Sequence, residues 1–120
     1  MYDKDNVFAK ILRGEIPNDT VYEDSYVLAF RDINAQAPVH VLVIPKGEYE
    51  SMDDFSTNAP PEMMTGFFRA VAKIARDLGV VESGYRLIAN HGADSHQEVA
   101  HFHVHILGGR ALGPMLTRRG

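Results

Sequence analysis

Three histidines alternate with apolar residues in the run His101-Phe102-His103-Val104-His105-Ile106-Leu107. In a β-strand alternate side chains share a face, so this spacing sets three imidazoles in a row and sends Phe102, Val104 and Ile106 into the opposite side. Neighbouring histidines then lie roughly 6.5–7 Å apart at Cα and the outer pair about 13 Å apart. Three chemistries compete for such a row. It could be a partly exposed strand face. It could be a metal site, with His40, His91 or His96 completing the ligand set, although no His-Glu-x-x-His pattern or evident carboxylate partner accompanies it. Covalent catalysis accounts best for the number three: one neutral imidazole attacks an activated phosphorus while its neighbours hold its second nitrogen and protonate the leaving group. The middle position, His103, has a neighbour on each side.

The segment ahead of the row supports a phosphorus substrate. Asn90, Gly92, Ser95 and Gln97 offer neutral donors, and a glycine lets backbone N–H groups approach an anion. Such a cradle suits the charge balance. With 12 basic and 16 acidic residues the net charge is -4, which disfavours a broad grip on polyanions such as nucleic acid. There is no cysteine, hence no disulfide framework and no thiolate metal site. The longest purely apolar stretch, Val41 to Ile44, is far below the ~20 residues of a membrane span. Tyr2, Asp3, Lys4 and Asp5 do not form an export signal. A cytoplasmic protein without membrane association is expected.

The elements that must position these residues follow from punctuation and period. Asp5 or Asn6 caps a short helix with Phe8, Ile11 and Leu12 on one face, stopped by Gly14. Val21 to Phe30 reads as two strands about an Asp24-Ser25 turn, and Val39 to Ile44 as an interior strand carrying His40. Tyr49 to Asn58 is polar and expected to be irregular with a turn of helix. Pro60 and Pro61 open the main helix, whose Met64, Phe67, Phe68, Val71, Ile74, Ala75 and Leu78 recur at helical spacing up to Gly79. Tyr85 to Ala89 and His101 to Leu107 are the last two strands, joined by a long loop. Five strands and two helices that never alternate regularly indicate an α+β domain on an antiparallel sheet, with one long and one short helix. One domain over 1–120 is expected.

In several segments, in the same order, the chain resembles the histidine triad family, specifically its nucleoside phosphoramidase branch. The triad followed by Gly108-Gly109-Arg110 fits the family signature. Phe8-Ala9-Lys10-Ile11, Glu15-Ile16-Pro17, Ala29-Phe30-Arg31-Asp32-Ile33 and Gln36-Ala37-Pro38-Val39-His40 resemble the branch as well. The resemblance implies a purine nucleotide substrate (AMP or GMP conjugates), its base among Phe8, Ile11, Phe30, Ile33 and Leu42 and its ribose hydroxyls on Asp32. It places Asn90 and Gln97 near phosphate, His103 as nucleophile, His105 on the leaving group, His101 as support and His40 beside the triad. It also implies a homodimer formed through the main helix and an adjoining strand, and a reaction with no metal or other cofactor. Two positions depart from the animal members: Glu98 stands for a serine and His96 for a glycine. A carboxylate facing the phosphate would repel it, so Glu98 is expected to point away or to change the leaving-group contacts. Dinucleoside polyphosphate hydrolysis, or a nucleotide-binding module with incidental hydrolysis, are the other functions compatible with this pattern.

Overall fold

The computed structural model describes residues 1–117; the last three residues of the domain expected over 1–120 lie outside the described residues. In chain order the elements are α1 (Val7–Leu12), β1 (Thr20–Glu23), β2 (Val27–Arg31), β3 (Val39–Pro45), α2 (Met52–Asn58), α3 (Pro61–Asp77), β4 (Tyr85–Ile88), a 3-10 turn (Ala93–Ser95) and β5 (Val104–Gly108). The strands form one antiparallel sheet in the order β1-β2-β3-β5-β4. This is the α+β architecture expected, with β5, the strand that carries His105, placed between β3 and β4.

Strand alternation divides the sheet into two faces. Val27, Ala29, Val41, Val43, Val104 and Ile106 point to one side, where Phe67, Ala70, Val71 and Ile74 of α3 close the main core together with Phe55 and Phe102. Leu28, Phe30, Leu42 and Ile44 point to the other side, where Phe8 and Ile11 of α1 cover them. The histidine face is therefore the α1 face.

Local chemistry explains the ends. The Asn6 side chain accepts from the Ala9 N–H to start α1, and Gly14 at φ 77° follows its end. Pro61 sits at the start of α3 and Gly79, at φ 73°, beyond its end. Of the four bulky residues early in α3, Phe67 enters the core, Met63 and Met64 pack at its edge, and Phe68 is 45 % exposed.

Two expectations need correction. There are two short helices beside the long one, because Tyr49 to Asn58 contains α2. The signal is a reciprocal cap: Ser51 accepts from the Asp54 N–H, the Asp54 carboxylate accepts from the Glu50 N–H, and Phe55, 1 % exposed, anchors the turn in the core. The last strand starts at Val104 rather than His101. Its ladder with β3 ends at the Val43–Val104 pair, near Pro45, which has no N–H to offer, and the Phe102 N–H turns to the Tyr49 carbonyl. Alternation persists through the unpaired residues, so Phe102 still packs in the main core and His101 and His103 still face α1.

Candidate active site

Strands β3 and β5 bring His40 and His105 together across their register, in which Leu42 lies opposite His105 and His40 opposite Leu107. His40 Nε2 and His105 Nδ1 are 2.9 Å apart. Phe8 of α1 packs edge-on against the His103 ring, with centroids 5.0 Å apart. A cleft on this face has two lobes. One, of about 210 Å³, is lined by His103, His105, Asp32, Gln36, Asn90, Ser95, His96 and Glu98. The other, of about 260 Å³, is lined chiefly by apolar groups including Val7, Phe8, Ile11, Ile16, Phe30, Ile33 and Leu42. Phe8, Asp32, Leu42, Glu98 and Val99 border both.

Burial holds all four clustered histidines below the ordinary imidazole pKa. It brings His101 to about 4; burial, with the His103 and His40 rings beside it, brings His105 to about 4. Burial likewise lowers His103 and His40, opposed in His40 by the Asp32 carboxylate. All four are neutral at pH 7, so each carries a single ring proton, and the neighbours decide which nitrogen holds it. The Gln36 backbone N–H can only donate, and it points at His40 Nδ1 at 3.1 Å. The His40 proton is therefore on Nε2, from which it is donated to His105 Nδ1, with Asp32 Oδ2 at 3.4 Å from the same nitrogen. His105 must then carry its own proton on Nε2. His103 Nδ1 faces the His101 carbonyl at 2.7 Å, a group that can only accept, so its proton is on Nδ1 and its Nε2 is a bare lone pair. His101 donates from Nε2 to the Pro45 carbonyl at 3.0 Å and accepts at Nδ1 from the Tyr2 hydroxyl at 2.5 Å. Among the described residues no buried side-chain nitrogen or oxygen lacks a partner. The Nε2 atoms of His103 and His105 take no partner because they open on the cleft. One cleft therefore holds a nucleophilic lone pair and a proton donor on adjacent rings, whose centroids are 5.1 Å apart.

The other expected residues divide. Phe8, Ile11, Phe30, Ile33 and Leu42 do meet around one lobe; four are buried, while Ile33 is 96 % exposed at its rim. Asp32 borders both lobes, and its Oδ1 also accepts from the Asn34 N–H. Asn90 lines the histidine lobe with a carboxamide that makes no hydrogen bond among the described residues. Gln97 lines neither lobe: its carboxamide accepts from the Gly92 N–H and donates to the Glu50 and Val99 carbonyls, so it braces the loop. Ser95 similarly donates to the Gly92 carbonyl. Glu98 does not point away. It borders both lobes and accepts from His96 Nε2 at 3.0 Å, with both side chains largely exposed. His96 occupies the left-handed region at φ 62°, where a glycine would be unstrained.

The sequence reading missed Tyr2, Gln36 and Pro45 as partners of the histidines. Two of them act through backbone groups, which residue type cannot reveal, and Tyr2 lies 99 positions from its partner. As for the metal alternative, the ligand atoms of Asp32, His40 and His105 lie within 4.8 Å of one another. His91 and His96 are not part of that cluster, and the proton shared by His40 and His105 would have to leave before a cation could enter.

Known proteins share this arrangement of sequence and fold. An uncharacterised 13.2 kDa HIT-like protein of Azospirillum brasilense is 56 % identical over 117 residues, 98 % of this chain and 96 % of that one. The purine nucleoside phosphoramidase of Escherichia coli strain K12 is 48 % identical over 118 residues, 98 % of each chain. The solved structure of a HIT family hydrolase from Clostridium thermocellum superposes with a TM-score of 0.85 at 42 % identity, covering 96 % of this chain and 99 % of that one. The model of the HIT domain matches residues 13–112, and with these relatives it shows that the chain belongs to the HIT domain family.

Proposed function

We propose that this protein hydrolyses the P–N bond of purine nucleoside 5′-phosphoramidates, adenosine 5′-phosphoramidate among them, through a nucleotidyl-histidine at His103. The observation that carries this reading is the pair of adjacent rings in one cleft, His103 with a bare Nε2 and His105 with an Nε2–H. A purine fits the apolar lobe, ribose hydroxyls reach Asp32 at the border, and phosphate lies in the histidine lobe beside Asn90. His103 Nε2 attacks phosphorus; the bound phosphate anion favours uptake of a proton by the His40–His105 pair, and as the P–N bond breaks the departing nitrogen takes the His105 Nε2 proton and leaves as an amine, the pair returning to neutral. The positive charge that attack places on the His103 ring is offset by the phosphate oxygens. Water then attacks the nucleotidyl-histidine, releases the monophosphate and returns a proton to His105. His40 holds the tautomer of His105, and His101 holds that of His103. The resemblance to the E. coli enzyme supports the substrate class.

As parts of the same proposal, the chain acts as one domain, in the cytoplasm, as a homodimer, with no metal or other cofactor in the reaction and no nucleic acid or membrane as partner. The test is steady-state release of AMP from adenosine 5′-phosphoramidate with EDTA present, by wild type and His103→Ala, with diadenosine tetraphosphate as the comparison substrate. Rapid release by the wild type and a loss on the order of 10³-fold or more in the variant are expected, the scale on which covalent nucleophiles fail when removed. Preference for the dinucleotide would make the protein a polyphosphate hydrolase instead. Tight AMP binding without turnover of either substrate would make it a binding module.

A further inference from the structure

His101 is the triad histidine that lines neither lobe of the cleft, and it is wholly buried. It nevertheless has three polar groups engaged. Its Nε2–H goes to the Pro45 carbonyl, its Nδ1 accepts from Tyr2, and its own carbonyl receives the His103 Nδ1–H. An imidazole anchored at one nitrogen can still swing about that anchor or change tautomer. Anchored at both, it has one orientation and one tautomer. The second anchor is the Tyr2 hydroxyl, on a ring that meets the His101 ring edge-on with centroids 5.6 Å apart. Burial raises the Tyr2 pKa, so the hydroxyl keeps its proton and donates.

We infer that Tyr2 is a positioning residue for the reaction, its hydroxyl fixing the ring of His101 and, through the His101 carbonyl, the direction of the His103 lone pair. The inference rests on the phosphoramidase reading for its kinetic consequence but not for its structural one. Tyr2 borders neither lobe of the cleft, so it touches no substrate. Its effect belongs in the rate of the chemical step and not in binding, because a displacement of a few tenths of an ångström at an attacking atom is enough to slow the step severalfold. A residue that merely covered His101 would act through its ring, and phenylalanine would serve as well.

Tyr2→Phe removes the hydroxyl alone and separates the two roles. With adenosine 5′-phosphoramidate, kcat is expected to fall about three- to tenfold with KM unchanged within about twofold, on the scale set by small misplacements of reacting groups. In ¹⁵N-edited NMR spectra of the imidazoles, wild-type His101 is expected as the Nε2–H tautomer with an accepting Nδ1. In Tyr2→Phe the Nδ1 signal should move and the ring should titrate at higher pH, since the donor that favoured the neutral form is gone. A variant with wild-type kcat, or with an unchanged His101 spectrum and titration, would overturn the inference. If the wild type itself failed to turn over the substrate, the proposed function would fall, and the spectrum alone would decide whether Tyr2 anchors His101.

Discussion

At the scale of single residues, four imidazoles made neutral by burial also set how the fold responds to acid. The unfolded chain takes up histidine protons near the ordinary pKa of 6.5, whereas His101 and His105 take them up only near pH 4 when folded. Between those limits the unfolded state binds more protons, so stability falls as pH is lowered through the window and is level above it. The loss by pH 5 is roughly 2 kcal/mol for His101 and less for the half-open His105. Urea unfolding at pH 7 and pH 5 measures it, and equal midpoints would contradict the burial argument. On the proposed mechanism kcat/KM should hold below pH 6.5, since burial lowers the His103 pKa in the free protein; an acid limb of kcat/KM at or above 6.5 would contradict it. The row of histidines and its two-faced logic were legible from type and spacing alone. The position of each proton was not, because it is written by backbone carbonyls and amides from remote segments.

At the scale of elements, the loop before β5 and the start of α3 each hang on one small device. The Gln97 carboxamide joins Gly92, Glu50 and Val99 by three hydrogen bonds. Gln97→Ala removes all three, each worth about 1 kcal/mol, and should raise KM several-fold while leaving kcat nearly unchanged; steady-state kinetics with hydrogen exchange of the loop amides would show it. Gly66 lets α3 lie directly on the Tyr26 ring, where any Cβ would overlap it. Gly66→Ala should therefore cost about 1–3 kcal/mol in denaturant unfolding, the usual range for overpacking, despite the better helix propensity of alanine. An unchanged or raised midpoint would show that Tyr26 can turn aside. Helices α1 and α3 announced themselves by period and stops. Helix α2 did not, because its seven residues hold one buried apolar anchor and its signal lies in the Ser51 and Asp54 caps. The onset of β5 was hidden because pairing depends on the partner strand, and the partner ends in proline.

At the scale of the whole molecule, the sheet is closed by α3 on one face and only partly covered by α1 on the other, which leaves the cleft. Beyond the core, Phe68 on α3, Val81 in the α3–β4 connection and Leu87 on β4 stay 45, 50 and 46 % exposed. Phe68 and Leu87 lie on the main helix and on a strand, the kinds of element expected to carry a homodimer. Light scattering should give twice the chain mass of 13.4 kDa, and Phe68→Glu should shift it toward the single mass. A wild type of single mass would remove the dimer from the proposal. The fold class could be reached without coordinates because strand patterns, helix stops and the apolar totals all agree. The cleft could not, since it is made where α1, β3, β5 and the loop at 90–99 meet.

One chain segment supplies alternately the floor of the main core and the histidines of the α1 face. A single inserted or deleted residue within 101–107 would therefore exchange the two sets for every position beyond it, turning imidazoles into the core and Val104 or Ile106 toward the cleft. A change of length is thus far more damaging within the row than in the loop ahead of it. The reading frame of the histidine row is guarded by the same hydrophobic burial that folds the chain, so the cleft entrance can change by small steps while the row cannot.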